Sequence, residues 1–444
     1  MSKITLRTIF WFWMPLAFSM LLMTMEGPWV QAVIGRRPDP TLQLAAFGIV
    51  MSLSITIESP IIMLLATGSA LTRHKQALSI LTRFMWGMNA ILTVLAVLMA
   101  FTPLLDFYLG NILGLSQNII DAARPGMVIM IPWTAFIGYR RFYQGVMIRS
   151  GNSKAVGSGT IIRIIVSGGV AILLGLFTEL SGAVIGGWAL MSAVGAEAFY
   201  ARYAARHNLE AINALEPSKN APELTMREVL AFHMPLALTS VMTWLVRPMM
   251  ESGLANTPNP QQVLAAFPVV YSVGLLLRAG GIACQEVIIA LGKGEAQINT
   301  LRRFVWAVGI GSMIFAGILG FTPLLDVYMN TLLHVPTEIQ PLVMVGVRAL
   351  IFFPVLMALQ SYYRALLMLA GRTAPIYQGM IVGFVATGAA IWLMLNSTLE
   401  PLTASSFAMT LGLAVELAYL WWAQRQTVTQ LRARWDAALV AAGD

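Results

Sequence analysis

The six residues FTPLLD occupy positions 101–106 and recur at 321–326, an offset of 220 residues. At the same offset Leu44-Ala45-Ala46-Phe47 falls on Leu264-Ala265-Ala266-Phe267, Arg83-Phe84 on Arg303-Phe304, Trp86 on Trp306 and Gly151 on Gly371. FYQG at 142–145 falls on YYRA at 362–365, and MPLA at 14–17 recurs at 234–237. One constant offset sustained along the chain is the mark of a duplicated unit. The fold is therefore to be read as one six-element motif written twice.

The composition says what solvent that motif meets. Hydrophobic residues make up 58% of the chain, charged residues 11%, and the mean hydropathy is +0.74. A soluble domain carries about a quarter charged residues, so this is an integral membrane protein. The net charge of +8 lies in short clusters between apolar runs, not in one basic patch interleaved with aromatics, and nucleic acid is not expected as a partner. Cys284 is the single cysteine and the four histidines are scattered, so neither a metal centre nor a thiol or imidazole nucleophile is expected. GxxxxGK[ST], GxSxG and HExxH are absent, and no enzyme activity is expected.

A helix needs about 20 apolar residues to cross a bilayer. Twelve such spans are legible, at 8–34, 42–70, 84–106, 120–148, 156–178, 182–203, 228–252, 262–291, 304–326, 339–368, 375–396 and 401–423. Several exceed the bilayer thickness, so tilts or kinks are expected. Lys3 and Arg7 ahead of the first span resemble a signal peptide, but the recurrence of MPLA inside a mid-chain helix argues for a span instead. With the N-terminus inside, the basic residues between spans fall on the cytoplasmic side, among them Lys219 and Lys293, while Arg36 and Arg37 fall outside. That bias places both termini in the cytoplasm, in an inner or plasma membrane. The polar stretch at 206–227 divides the spans six and six, giving lobes at 1–205 and 228–424, and 425–444 forms a cytoplasmic tail.

The expected fold is thus an all-α membrane protein with twelve transmembrane helices, arranged as two six-helix repeats around a central cleft. Six is even, so the repeats run parallel, and such folds bind substrate between halves that rock. The Gly168-Gly169 pair and the glycines between 182 and 187 suit close helix packing, and the 27 methionines read as packing as well.

An ionisable group inside a span costs a few kcal/mol, so those present are site candidates. They are Glu26, Glu58, Arg140, Arg141, Arg163, Glu197, Arg247, Glu251, Arg278, Glu286, Arg348, Arg364 and Glu416. At 1.5 Å per residue, Glu26, Glu58 and Arg278 fall near mid-bilayer, and Glu251 and Glu286 near helix ends. Glu58 and Arg278 are equivalent under the offset yet opposite in charge, which suits either a locking ion pair or a gate that substrate breaks. Arg247 and Glu251, four apart on one helix, are placed to satisfy each other. Glu26 precedes Gly27-Pro28, where a helix break offers a proton or sodium site beside a plain kink. Arg140, Arg141 and Arg364 near helix ends read either as snorkelling residues or as an anion-collecting vestibule.

The two-times-six arrangement, the Pro-Leu near the start of spans 1 and 7, and PLAL at 235–238 followed by Arg247-Pro248 resemble the multidrug/oligosaccharidyl-lipid/polysaccharide (MOP) exporter superfamily, with a MATE-like fold. Within it, PLALTSVMTWLVRPMM and VRALIFFPV at 347–355 look most similar to the progressive ankylosis family, which implies export of pyrophosphate, citrate or nucleotides. First-half motifs match loosely, and the animal proteins' long polar tail is missing.

The expectation is a secondary-active, alternating-access exporter of an anionic or phosphate-bearing small molecule, a monomer among membrane lipids. Arg278, Arg247, Arg348, Arg364 and Arg140 would bind substrate; Glu58, Glu26, Glu251 and Glu286 would couple or gate, with H+ or Na+ in place of any cofactor. A flippase for a lipid-linked phosphate or saccharide would use the same arginines on a headgroup. A multidrug cation antiporter would use Glu26 and Glu58 instead, and a non-transporting scaffold or sensor would need no mid-membrane charge.

Overall fold

The computed structural model describes residues 4–150, 152–215, 223–292, 294–370 and 372–441. Lys3, Lys219, Lys293, the Gly151–Gly371 match and part of the polar stretch at 206–227 lie outside the described residues. The chain is nearly all helix. We label the spans α1a (Leu6–Thr24) and α1b (Glu26–Ile34), α2a (Pro40–Ile62) and α2b (Leu64–Leu71), and α3 (Lys75–Phe101). There follow α4a (Gln117–Ile129) and α4b (Trp133–Arg149), α5 (Ser153–Phe177) and α6 (Gly182–Ala204). The second repeat is α7 (Met226–Ala255), α8 (Pro260–Leu291), α9 (Glu295–Phe321), α10a (Gln340–Ala349) and α10b (Phe353–Leu369), α11 (Ala374–Leu395) and α12 (Pro401–Ala441). Ten of these are long and apolar enough to span a membrane alone, and α10a with α10b, bent by 43°, makes an eleventh. The α4 pair, equivalent to α10 under the offset, completes twelve spans. Large apolar side chains such as Trp11, Ile165, Leu176, Phe177 and Trp392 stand exposed, as lipid-facing residues must.

Local rules explain the junctions, and the repeats obey the same ones. Thr5 and Thr225 cap α1a and α7, the second as a full capping box with Glu228. Asp39 and Asn259 both adopt left-handed φ, 50° and 55°, immediately before the prolines that open α2a and α8. A residue before proline is pushed out of the right-handed helical region, and Asp and Asn tolerate the left-handed one. In FTPLLD the helix ends at Phe101 or Phe321, and the threonine hydroxyl donates back to the carbonyl of Leu98 or Ile318. It also accepts from the N–H of Leu104 or Leu324, while Leu105 and Leu325 anchor the turn in the core. A π-helical turn follows in both copies, at Phe107–Ile112 and Tyr328–Leu333, closed by left-handed Gly114 and His334.

The breaks separate the repeats. Spans 4 and 10, legible as single runs, are each two helices, interrupted where Pro132 and Pro354 forbid continuation of the preceding hydrogen-bond ladder. Spans 1 and 2 also break, at Met25 and Met63, whereas α7 and α8 run through. Pro28 and Pro248 are equivalent, but the first follows Gly27, a weak helix former, and the second follows Arg247. Pro60 has Gly280 as its equivalent, so at that position α8 keeps the backbone N–H that α2a lacks.

The chain forms two compact units: residues 1–28 with 266–444, and residues 29–265. These cut the chain differently from the repeat boundary, because α1a groups with 266–444 and α7 with 29–265. In the first unit, Trp13 donates its indole N–H to the Gly280 carbonyl at 2.9 Å and meets the Phe304 ring edge-on at 5.7 Å. In the second, His233 Nε2 lies 3.1 Å from the Pro60 carbonyl and its ring meets Phe84 edge-on at 4.9 Å. A carbonyl only accepts, so Nε2 carries the proton, and in the neutral ring Nδ1 accepts from Thr67 Oγ1 at 2.9 Å. Of the glycines singled out for packing, Gly182 and Gly186 do admit neighbours closely: an added Cβ would stand 2.7 Å from Ile34 and 2.5 Å from Phe47. Gly168 and Gly169 do not, having nothing within 4 Å, because they lie on α5, whose surface is largely exposed.

Candidate functional site

The 29–265 unit holds a buried polar cluster. Arg140 and Gln144 are four residues apart on α4b, so both side chains leave one face. They reach Glu197 on α6 from there. Arg140 Nη1 donates to one carboxylate oxygen of Glu197, and Gln144 Nε2 donates to the other at 3.0 Å. Arg141 Nη1 donates to Gln144 Oε1 at 3.4 Å, extending the chain of bonds. Gly159 on α5 faces Glu197, where an added Cβ would sit 3.3 Å from its Cγ. Arg140 is 3% exposed, so it is neither snorkelling nor lining an open vestibule.

Glu58 lies in the same unit, buried on α2a within electrostatic reach of Arg140, Arg141 and Arg163. Three arginines therefore face two carboxylates in a low-dielectric interior. Arg140 Nε, Arg141 Nε, Trp133 Nε1 and Glu58 Oε2 are all out of reach of water and without a hydrogen-bond partner among the described residues. The cluster is closed to solvent, and bonds within it satisfy only part of its polar atoms.

Arg247 and Glu251 also belong to this unit. Arg247 Nε donates to Glu251 Oε1 at 3.1 Å, and Nη2 donates to the Gly48 carbonyl on α2a at 2.9 Å. Both side chains are at least nine-tenths buried, so Arg247 rivets α7 onto α2a.

In the other unit Arg364 on α10b donates to Glu416 on α12 through Nε and Nη2, at 3.2 and 2.5 Å. Gln144 and Arg364 are equivalent under the offset, and Glu197 and Glu416 lie within one residue of equivalence. Each repeat thus ties its fourth span to its sixth with a buried carboxylate. Arg348 is exposed at the end of α10a, donates to the Gly320 carbonyl at 2.8 Å and lies over the Phe321 ring. Glu286 is exposed near the end of α8, and Glu26 is buried in the first turn of α1b.

Arg278 differs from Arg140, Arg247 and Arg364. It sits on α8, half-buried, makes no ion pair with any described residue, and its Nε is sealed from water without an acceptor. It lines a cleft with Phe267, Tyr271, Leu350 and Phe353 and, from α12, Ser406 and Met409. The cleft is narrow, with room for about one water molecule, and apolar atoms make nearly all of its lining. The arginines at 140, 247 and 364 have carboxylates; the one at 278 has a cavity. Sequence reasoning had Glu197 and Glu416 only as charges within spans. Their partners lie 57 and 52 residues away, a separation at which no helical periodicity points from one to the other.

Among the described residues no group of three or more His, Cys, Asp or Glu is placed to hold a metal ion. No protein-family model and no curated protein matches the sequence. Solved structures do match. The inward-facing conformation of a multidrug resistance MATE family transporter of the MOP superfamily aligns with a TM-score of 0.72 at 14% identity, over 94% of this chain and 96% of that one. A MOP superfamily transporter from Pyrococcus furiosus, noted for the reverse polarity of its binding pocket, aligns at 0.65 and 13% identity, over 97% of both chains. The lipid II flippase MurJ aligns at 0.66 and 10% identity, over 96% of this chain and 92% of that one. The chain has the MOP, MATE-like fold.

Proposed function

We propose that the protein is a membrane transporter of the alternating-access type, moving an anionic small molecule, with Arg278 as the group that receives the anion. The observation that carries this is the contrast between Arg278 and the three arginines Arg140, Arg247 and Arg364. A guanidinium within a span costs several kcal/mol unless it is paired. Arg140, Arg247 and Arg364 meet that cost with Glu197, Glu251 and Glu416. Arg278 has no such carboxylate among the described residues and borders a cavity instead. An anion arriving in the cleft supplies the missing partner.

The fold supports transport as the class of function, since its solved relatives are named as transporters and a flippase. The Pyrococcus furiosus protein's reversed pocket polarity supports the view that this fold tolerates binding pockets of different polarity. The resemblance to the progressive ankylosis family adds pyrophosphate, citrate and nucleotides as the class to try first, with export through the inner or plasma membrane. Arg247, Arg348, Arg364 and Arg140 then act as framework, and the acids Glu58 and Glu26 remain the residues through which a proton or sodium ion would couple.

The test is anion flux in proteoliposomes. Arg278→Gln abolishes flux while the variant elutes as a folded, monodisperse species, and Arg278→Lys retains part of it. Full flux in Arg278→Gln would remove the proposal.

A further inference from the structure

The end of α6 carries two cations that no carboxylate neutralises. Arg202, Tyr203 and Arg206 follow Phe199 at three, four and seven residues, so the four form one stripe along a single face, and all are exposed. Arg206 opens the short helix Arg206–Asn213, and Ala205 between the two helices keeps φ −78° and ψ −7°, so the stripe runs on across the junction. Each guanidinium lies over a tyrosine ring. Arg202 is 5.3 Å from the ring centre of Tyr143 on α4b, and Arg206 is 4.3 Å from that of Tyr203. A guanidinium held against a ring face keeps N–H edges for an oxyanion. Neither arginine has an ion pair among the described residues. The acids on either side are engaged elsewhere, Glu197 by Arg140 and Gln144 and Glu210 by His207. Arg206 Nε donates to His207 Nε2 at 3.2 Å, so in that ring Nδ1 bears the proton and donates to Glu210 at 3.3 Å. Deeper along the stripe the surface turns aromatic: Phe199 is 67% exposed, and its ring stands 5.8 Å from that of Phe136 on α4b.

We propose that this face of α6 holds one anionic phospholipid, its phosphate between Arg202 and Arg206 and an acyl chain along Phe199. The dimensions agree. At 1.5 Å per residue the two arginines stand about 6 Å apart along the axis, the thickness of one headgroup layer, and Phe199 lies about 4.5 Å deeper. The orientation read from the basic loops puts this end of α6 in the cytoplasmic leaflet, where anionic lipids supply the negative charge. A phosphate takes two N–H bonds from each planar fork, which a zwitterionic headgroup offsets with its own ammonium. The second repeat has Trp422 and Gln426 at the equivalent positions, so the cation pair belongs to one copy. Its nearest substitute, Arg425, lies over Trp421 at 3.8 Å, with Trp421 and Thr429 one turn to either side and no second arginine. Arg425 is what a lone interfacial arginine looks like, and it serves as the control. The site is independent of Arg278 and of the cargo.

Native mass spectrometry of the full-length, delipidated protein in detergent, titrated with dioleoylphosphatidylglycerol or dioleoylphosphatidylcholine, measures the affinity for the first bound lipid. Phosphatidylglycerol is expected to bind about 30-fold more tightly, the scale of two basic side chains at an anionic membrane surface. Arg202→Gln combined with Arg206→Gln removes that preference, Arg425→Gln leaves it intact, and Phe199→Ala weakens both lipids alike. Should the double variant fail to fold, Arg206→Gln alone decides, since its printed contacts are with Tyr203 and His207 on its own stretch of chain. An unaltered preference in that variant, an equal loss in Arg425→Gln, or no preference in the unaltered protein would each overturn the proposal. Displacement of the lipid by inorganic phosphate, beyond that caused by chloride at the same ionic strength, would assign the arginines to a free anion and overturn the lipid as occupant.

Discussion

Trp13 and His233 occupy equivalent positions in the two repeats and make the same contact with different chemistry. Each ring bonds a backbone carbonyl, of Gly280 or Pro60, and meets a phenylalanine edge-on, Phe304 or Phe84. Those partners are themselves equivalent under the offset of 220. Where a helix has to dock, the copies have kept the shape of the contact and let the residue vary. The buried charges behave oppositely. Glu58, Trp133, Arg140, Arg141 and Arg163 have Arg278, Phe353, Gln360, Ser361 and Gly383 as their counterparts. One copy became a buried cluster of several charges and the other a narrow cleft beside a single cation. Duplication fixed the scaffold, and the divergence between copies is where a specific function has room to arise.

The largest test of this contrast concerns the carboxylates shared by both units. Glu197→Gln leaves Arg140, 3% exposed, without its counter-charge, and is expected to cost about 3–5 kcal/mol, read as loss of thermal stability in detergent. Glu416→Gln costs clearly less, because the Arg364 side chain is 24% exposed and can be hydrated. Equal losses would mean that the two clusters are not as different as their burial suggests.

Next come the docking rings. His233→Phe keeps the ring but strips both hydrogen bonds from a fully buried site, at an expected cost of about 1–3 kcal/mol. Trp13→Phe leaves a single carbonyl unpaired, so about 1 kcal/mol is expected, and thermal unfolding of both variants compares them. A third comparison uses the left-handed residues that close the π-helical turns. Gly114→Ala strains φ +76° and brings a Cβ to 3.3 Å from Asn256, so it destabilises by about 1 kcal/mol. His334→Gly relieves φ 51° and is expected to stabilise by a few tenths to about 1 kcal/mol, shown as a raised midpoint of unfolding.

The smallest effect lies in FTPLLD itself. Arg124 holds Asp106 with two bonds of 2.6 Å, lowering its carboxyl below the usual range, while Asp326 is exposed. A depressed carboxyl contributes stability above its unfolded pKa of 3.8 and loses it as the pH falls through its folded value. Asp106→Asn should therefore flatten the acid limb of the stability profile slightly, and Asp326→Asn should leave it unchanged.

Much of this was readable before any coordinates. The offset, the spans and the opposed charges at 58 and 278 follow from hydropathy and from counting residues. Which arginine would be left over did not. Arg140 and Arg364 are neutralised by residues more than 50 positions away, and Arg247 by Glu251 together with a backbone carbonyl, a group with no letter in the sequence. The breaks in spans 4 and 10 were obscured because a proline inside an apolar run changes geometry without changing hydropathy. Gly168-Gly169 misled for the converse reason: small residues permit close approach, but only a neighbouring helix supplies it.

The division of the chain into residues 1–28 with 266–444, and 29–265, also sets an order of events during synthesis. The 29–265 unit is one uninterrupted stretch and can close as soon as α7 has emerged. The other cannot, because Trp13 finds its carbonyl 267 residues later, at Gly280. At about 5–20 residues per second, the first helix waits on the order of tens of seconds in the bilayer without its final neighbours. Between Arg7 and Glu26 it carries no charged residue, so lipid is an adequate companion for that interval. The α1a helix, made before the 29–265 unit, is thereby placed after it.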